Sequence, residues 1–130
     1  MPVARVVRLL AWTVPAGILV QAVLAGQAWF VSPTLFGLHG GVGHGVLALS
    51  VVTAGLLWLV RDAGRTAALL ASVVVLGLIG QTGLGYAGHR TGIAAASSIH
   101  IPLGVTLFGL SLAVAVLLAV RGTSRDAVEA

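Results

Sequence analysis

Four histidines, His39, His44, His89 and His100, are the residues of this 130-residue chain best suited to chemistry. An imidazole can ligate a metal, relay a proton or hold a haem iron, and it is costly in lipid without such a task. Much other chemistry is excluded. The chain has no cysteine, so disulfides, thiolate metal sites and cysteine nucleophiles are absent. Asp62, Asp126 and Glu129 are its three carboxylates, and none falls in an apolar stretch. An acid–base pair or an acidic proton relay therefore has no candidates.

Two of the histidines stand at matching places in an internal repeat. His39 opens HGGVGHGVLALSVV and His100 opens HIPLGVTLFGLSLAV. Each is followed four residues on by glycine (Gly43, Gly104), then by Leu-Ser (Leu49-Ser50, Leu110-Ser111), then about one span later by arginine (Arg61, Arg121). Gln21 precedes His39 by 18 residues and Gln81 precedes His100 by 19. Parallel repeats in membranes are related by an axis along the membrane normal, which sets His39 and His100 at equal depth across the bundle.

A haem iron with two axial histidines needs one imidazole from each of two facing helices. His39 and His100 meet that need. Gly43 and Gly104, one turn deeper on the same faces, would open room for the porphyrin. His44 lies five residues after His39, about 140° around the helix, so the two cannot share one iron. His39 with His100 is the preferred pair; a helix beginning near Gly43 would make His44 the ligand instead. Arg90 is the cation placed for the propionates, assisted by His89 or the unused histidine of helix 2. All four histidines belong to one side, which predicts a single haem b. The same four could form a rim for copper or zinc, although no H-x3-H pair or carboxylate joins them. They could also simply hydrogen-bond at the membrane interface.

The elements that must position these residues follow from composition. The chain is 58% hydrophobic and 8% charged, with a mean hydropathy of +1.11. Soluble domains carry about 25% charged residues, so this is a membrane protein. A span needs about 20 apolar residues. Four stretches qualify, at about 9–29, 39–60, 66–86 and 99–120, with a polar tail over 122–130. The first is longer than the ~7–15 residues of a signal-peptide core and is read as a retained span. Short connections predict one all-α domain, an up-down-up-down bundle in which helices 1–2 and 3–4 are pseudo-two-fold repeats. Arg5, Arg8, Arg61, Arg65, Arg121 and Arg125 fall on one side and Arg90 alone on the other, so both termini are expected in the cytoplasm. Arginines at helix ends argue for topology and against nucleic acid. Trp12 and Trp58 then mark the inner interface, and Trp29 and Tyr86 the outer one.

Smaller signals complete the reading. Gln21 and Gln81 are expected to hydrogen-bond between helices, with contact to a quinone or porphyrin edge as a further use. Pro102 is expected in the first turn of helix 4, capped by Ser97 or Ser98. The run GQTGLGYAG from Gly80 has no strand before it, so it reads as close helix packing and not as a dinucleotide fingerprint.

The stretch LIGQTGLGYAGHRTGIAAASSIHIPLGVTLFGLSLAVAVLL resembles one half of the haem A synthase family. The match falls on Gln81, Gly85 and His100, and the family's other histidine corresponds to His39 or His44. The resemblance covers helices 2 to 4 and implies a four-helix bundle whose second and fourth helices ligate haem. The family's glutamate three residues before the helix 2 histidine is absent, since those positions hold Phe36 and Gly41. The arginine that follows that histidine is replaced by Gly40 or Gly45. Haem oxidation is accordingly not expected, and no catalytic residue is assigned. A homodimer would restore an eight-helix shape. The chain is also similar to small four-helix membrane proteins of bacteria, which implies a bacterial cytoplasmic membrane. The expectation is a b-type haem protein in electron transfer or haem handling, with lipid, a quinone or a larger redox complex as partners. The rival is a haem-free accessory or assembly subunit in which Gly26, Gly55, Gly77 and Gly80 contact a larger complex.

Overall fold

Backbone groups in hydrocarbon must be hydrogen-bonded within their own segment, so each apolar stretch becomes a helix. The computed structural model describes residues 2–60 and 64–126, with the side chains of all these except 2, 3, 90 and 123–126. It contains α1 (Pro2–Phe30), α2 (Leu35–Leu59), α3 (Arg65–Thr91) and α4 (Ala94–Asp126), and no strand among the described residues. All four are long and apolar enough to cross a membrane.

The helices outrun their apolar cores, because a helix ends where its backbone hydrogen bonding ends and not where hydropathy falls. α2 begins at Leu35, so His39 lies inside it and not at its mouth. α3 continues to Thr91 and stops at Gly92, whose left-handed backbone (φ 70°) turns its N–H back to the Ala87 carbonyl. α4 already starts at Ala94. Ser97 and Ser98 therefore do not cap it, and the Ser98 hydroxyl donates to the Ala95 carbonyl within the helix. Pro102 likewise sits inside α4 and not in its first turn, where it removes the helical bond to the Ser98 carbonyl. The expected polar tail begins as helix, since α4 runs to Asp126. Arg61, Asp62 and Glu129 lie outside the described residues.

Each helix packs on its neighbours in the order α1–α2–α3–α4–α1, so α1 faces α3 and α2 faces α4 across the diagonals. The repeat organises the core. Ala11 and Ala71, Val14 and Val74, and Ile18 and Leu78 are buried at corresponding places in α1 and α3. Ser50 and Ser111, Ala54 and Ala115, and Leu57 and Leu118 correspond in α2 and α4. Small side chains let the backbones approach, which is how helices adhere in lipid. Gly17 takes Val46 against its backbone, and Gly77 takes Leu107 at the matching place. Gly77 thus faces inward and is not a contact point for another protein, whereas Gly26, Gly55 and Gly80 have open space around them. Leu107, 2% exposed, is the largest fully buried side chain. Leu107→Ala is expected to cost about 2–5 kcal/mol, read as earlier unfolding in a denaturing-detergent titration followed by circular dichroism.

Candidate functional site

α1 and α3 run toward the end of the bundle that holds the histidines, and α2 and α4 run away from it. His39 lies four residues into α2 and His100 six residues into α4, about 6 and 9 Å along their axes at 1.5 Å per residue. They stand on diagonal helices near the same end, with ring centroids 6.4 Å apart and planes inclined by 60°. Both are half-buried.

Each ring is held the same way. His39 Nδ1 lies 3.1 Å from the Gln21 carbonyl, and His100 Nδ1 lies 3.0 Å from the Gln81 carbonyl. A carbonyl only accepts, so each Nδ1 carries the proton and donates it. In the neutral ring this leaves the Nε2 lone pair free to act as a ligand. Metal-ligating histidines typically donate their other N–H in this way. Two imidazoles on opposite sides of one metal, each nitrogen about 2.0 Å from it, have centroids about 6 Å apart. The observed separation lies in that range.

The glutamine side chains lie one turn further into the bundle. Gln81 Nε2 donates to the His100 carbonyl at 2.8 Å, an interhelical bond of the kind expected from the sequence. A Cβ on Gly104 would stand 3.0 Å from Gln81 Nε2, and one on Gly43 3.3 Å from Gln21 Oε1. The notches left by these glycines are therefore filled by the glutamine amides and not open for a porphyrin. The Gln21 Nε2 and Gln81 Oε1 atoms are buried without a hydrogen-bond partner among the described residues. Leaving such a group unsatisfied costs about 1–3 kcal/mol, and here it recurs at one repeat position beside the histidine pair.

Gly85, one of the positions that carry the family resemblance, packs against the site, and Tyr86, expected as an outer-interface aromatic, meets the other histidine of α2. A Cβ on Gly85 would lie 3.1 Å from His100 Cε1, so this glycine gives the imidazole its place. Gly85 falls in the run read from its residues as close helix packing and is also one of the positions matched in the resemblance. Tyr86 places its hydroxyl 3.4 Å from His44 Nε2. No sequence signal joins residues 42 positions apart.

The remaining histidines are not brought to the pair. His44, with Nδ1 2.7 Å from the Gly40 carbonyl, is exposed on the outside of the bundle. His89 lies against Phe36 at 4.5 Å, and Phe36 meets Trp29 edge-on at 5.4 Å. Arg90 is in α3, but its side chain lies outside the described residues. No group of three metal-ligating side chains is assembled among the described residues, so a four-histidine rim for copper or zinc is not formed there. Deeper in the bundle a cavity of about 20 Å3 is lined by Ser50, Thr53 and Ser111 with small side chains of α1 and α3. That is room for one water. Its hydroxyls donate to carbonyls of their own helices. Compared with family models, with curated proteins and with solved structures, the chain matches none.

Proposed function

We propose that this chain is a membrane-embedded b-type haem protein, with one haem held between α2 and α4 by His39 and His100. The observation that carries the reading is the paired geometry. Two imidazoles on diagonal helices stand 6.4 Å apart, and each is oriented by an Nδ1–H donated to a main-chain carbonyl. The donor set suits the group: two neutral imidazole nitrogens and no carboxylate beside them. When bound, haem would supply one-electron exchange. With both His39 and His100 as its ligands the iron would offer oxygen no open position, which favours electron transfer or haem handling over oxidation. The chain's own part is to fix the rings through Gln21 and Gln81, seat His100 against Gly85 and exclude water below.

The arginine distribution supports an orientation with the histidine end at the outer face and both termini inside, and the likeness to small bacterial four-helix proteins supports a bacterial cytoplasmic membrane. Arg90 then stands on the side where propionates emerge. A second reading, a haem-free accessory subunit, is favoured by the open glycines Gly26, Gly55 and Gly80, which suit close approach of a partner helix. One assay separates the two. The protein is expressed with haem supplied, purified in detergent, and its haem measured as the pyridine haemochromogen. Near-stoichiometric haem b supports the first reading, and protein that remains free of haem after this treatment supports the second.

A further inference from the structure

α1 carries two arginines and a tryptophan along one edge. Arg5, Arg8 and Trp12 are spaced by three and four residues and so share a side of the helix. Arg8 shows which side that is. Its guanidinium lies across Gly122 of α4, and α4 packs beside α1. A Cβ at Gly122 would take the place of the guanidinium, so this glycine is its seat. The two helices agree on depth. Arg8 stands four residues inside the apolar span of α1, which begins at Ala4, and Gly122 is the last residue of the span of α4. The side chain thus reaches from within the span to its edge, as long basic side chains do in lipid. Arg5 is exposed near the same edge, and Arg8 is half-buried. A guanidinium keeps its charge and carries five N–H donors. Neither Arg5 nor Arg8 makes a hydrogen bond or ion pair among the described residues. Like charges one turn apart repel each other, and half-burying one of them without an acceptor is costly. An anion shared by the two relieves both.

We propose that Arg5 and Arg8 hold the phosphate of an anionic phospholipid at the arginine-rich end of the groove between α1 and α4. A planar guanidinium matches two phosphate oxygens, and the membrane surface presents phosphate at the edge of the spans. A zwitterionic headgroup would set its own ammonium against the arginines. Trp12 is exposed one turn deeper than Arg8, where its ring lies beside the glycerol and acyl chains of the same lipid. The site is at the opposite end of the bundle from the His39–His100 pair and does not depend on haem.

Quenching of Trp12 tests this. Trp29→Phe with Trp58→Phe leaves Trp12 as the single tryptophan. That protein is reconstituted into phosphatidylcholine vesicles containing a minor fraction of phosphatidylglycerol brominated along its acyl chains. Quenching should correspond to an enrichment of the brominated lipid beside Trp12 of at least about fivefold, the factor that one arginine near an anionic surface is worth. Arg8→Gln should abolish the enrichment. Gly122→Val should abolish it too, since it keeps every charge but displaces the guanidinium. Arg65→Gln removes the same charge from α3, diagonal to α1, and should leave it unchanged. Circular dichroism confirms that each variant remains folded, and Arg5→Gln replaces any that does not, with a weakened enrichment expected. Quenching no greater than the bulk lipid fraction overturns the proposal. Equal losses in Arg8→Gln and Arg65→Gln also overturn it, because they would assign the effect to overall surface charge. So does relief of the enrichment by excess inorganic phosphate, which would make the ligand a free anion.

Discussion

His39→Leu and His100→Leu should each strip the purified protein of low-spin haem, while His44→Leu leaves it bound. The expected loss of affinity exceeds about 100-fold, because partners that merely orient a ligating histidine are already worth 10–100-fold. Either substitution removes one of the two imidazoles whose centroids stand 6.4 Å apart on the diagonal helices. Neither ring is in the buried core, so helical content should be retained and the loss read as local. His44 is turned toward Tyr86, and the removal of its ring touches neither Nδ1 anchor. Pyridine haemochromogen content per chain, measured beside far-ultraviolet circular dichroism, checks all three variants. Equal haem loss in His44→Leu would transfer the ligand role to that residue.

Gly85→Val should act on the same site without touching a ligand. A Cβ there stands 3.1 Å from His100 Cε1, within the closest tenth of real contacts, and two further methyl groups leave the imidazole no room. The ring must turn and give up its 3.0 Å hydrogen bond to the Gln81 carbonyl. Haem affinity should fall about 10–100-fold, with any remaining haem shifted from low to high spin. Gly80→Val is the control, since nothing lies within 4 Å of a Cβ at Gly80. It adds a similar side chain to the same helix and should leave the spectrum unchanged. Equal effects of the two substitutions would show that bulk in α3, and not pressure on His100, disturbs the protein.

Much of the architecture is legible in the amino-acid sequence. Four runs of apolar residues at spanning length mean four helices, because lipid permits a lone segment little else. The repeat is legible too. The Gln, His, Gly and Leu-Ser coincidences correspond to residues that occupy equivalent places, with the carbonyls of Gln21 and Gln81 holding equivalent rings and Ser50 and Ser111 buried alike. The helix ends are less legible. Hydropathy marks where lipid begins, whereas Gly92 and the turn before Leu35 mark where backbone bonding stops. Pro102, Ser97 and Ser98 lie deeper in α4 than hydropathy suggests for that reason. The start at Leu35 also fixes which histidine of α2 turns inward, a choice that spacing alone leaves open.

The occupants of the glycine notches are not legible in the sequence, because they depend on how neighbouring helices are rotated. Gly43 and Gly104 lie one turn from their histidines as the spacing requires, but the amides of Gln21 and Gln81 fill the space. Gly85 shows the converse case. Its sequence context suggests packing, and the group it packs against is the imidazole of His100. The Tyr86–His44 contact joins α3 to α2 across 42 residues, beyond the reach of any local pattern.

The most direct measurement is low-temperature electron paramagnetic resonance of the oxidised, haem-supplied protein. Bis-histidine ligation predicts a low-spin ferric haem signal in wild type that disappears in both His39→Leu and His100→Leu. A wild-type protein with no haem signal, or with a high-spin signal indifferent to both substitutions, would contradict it.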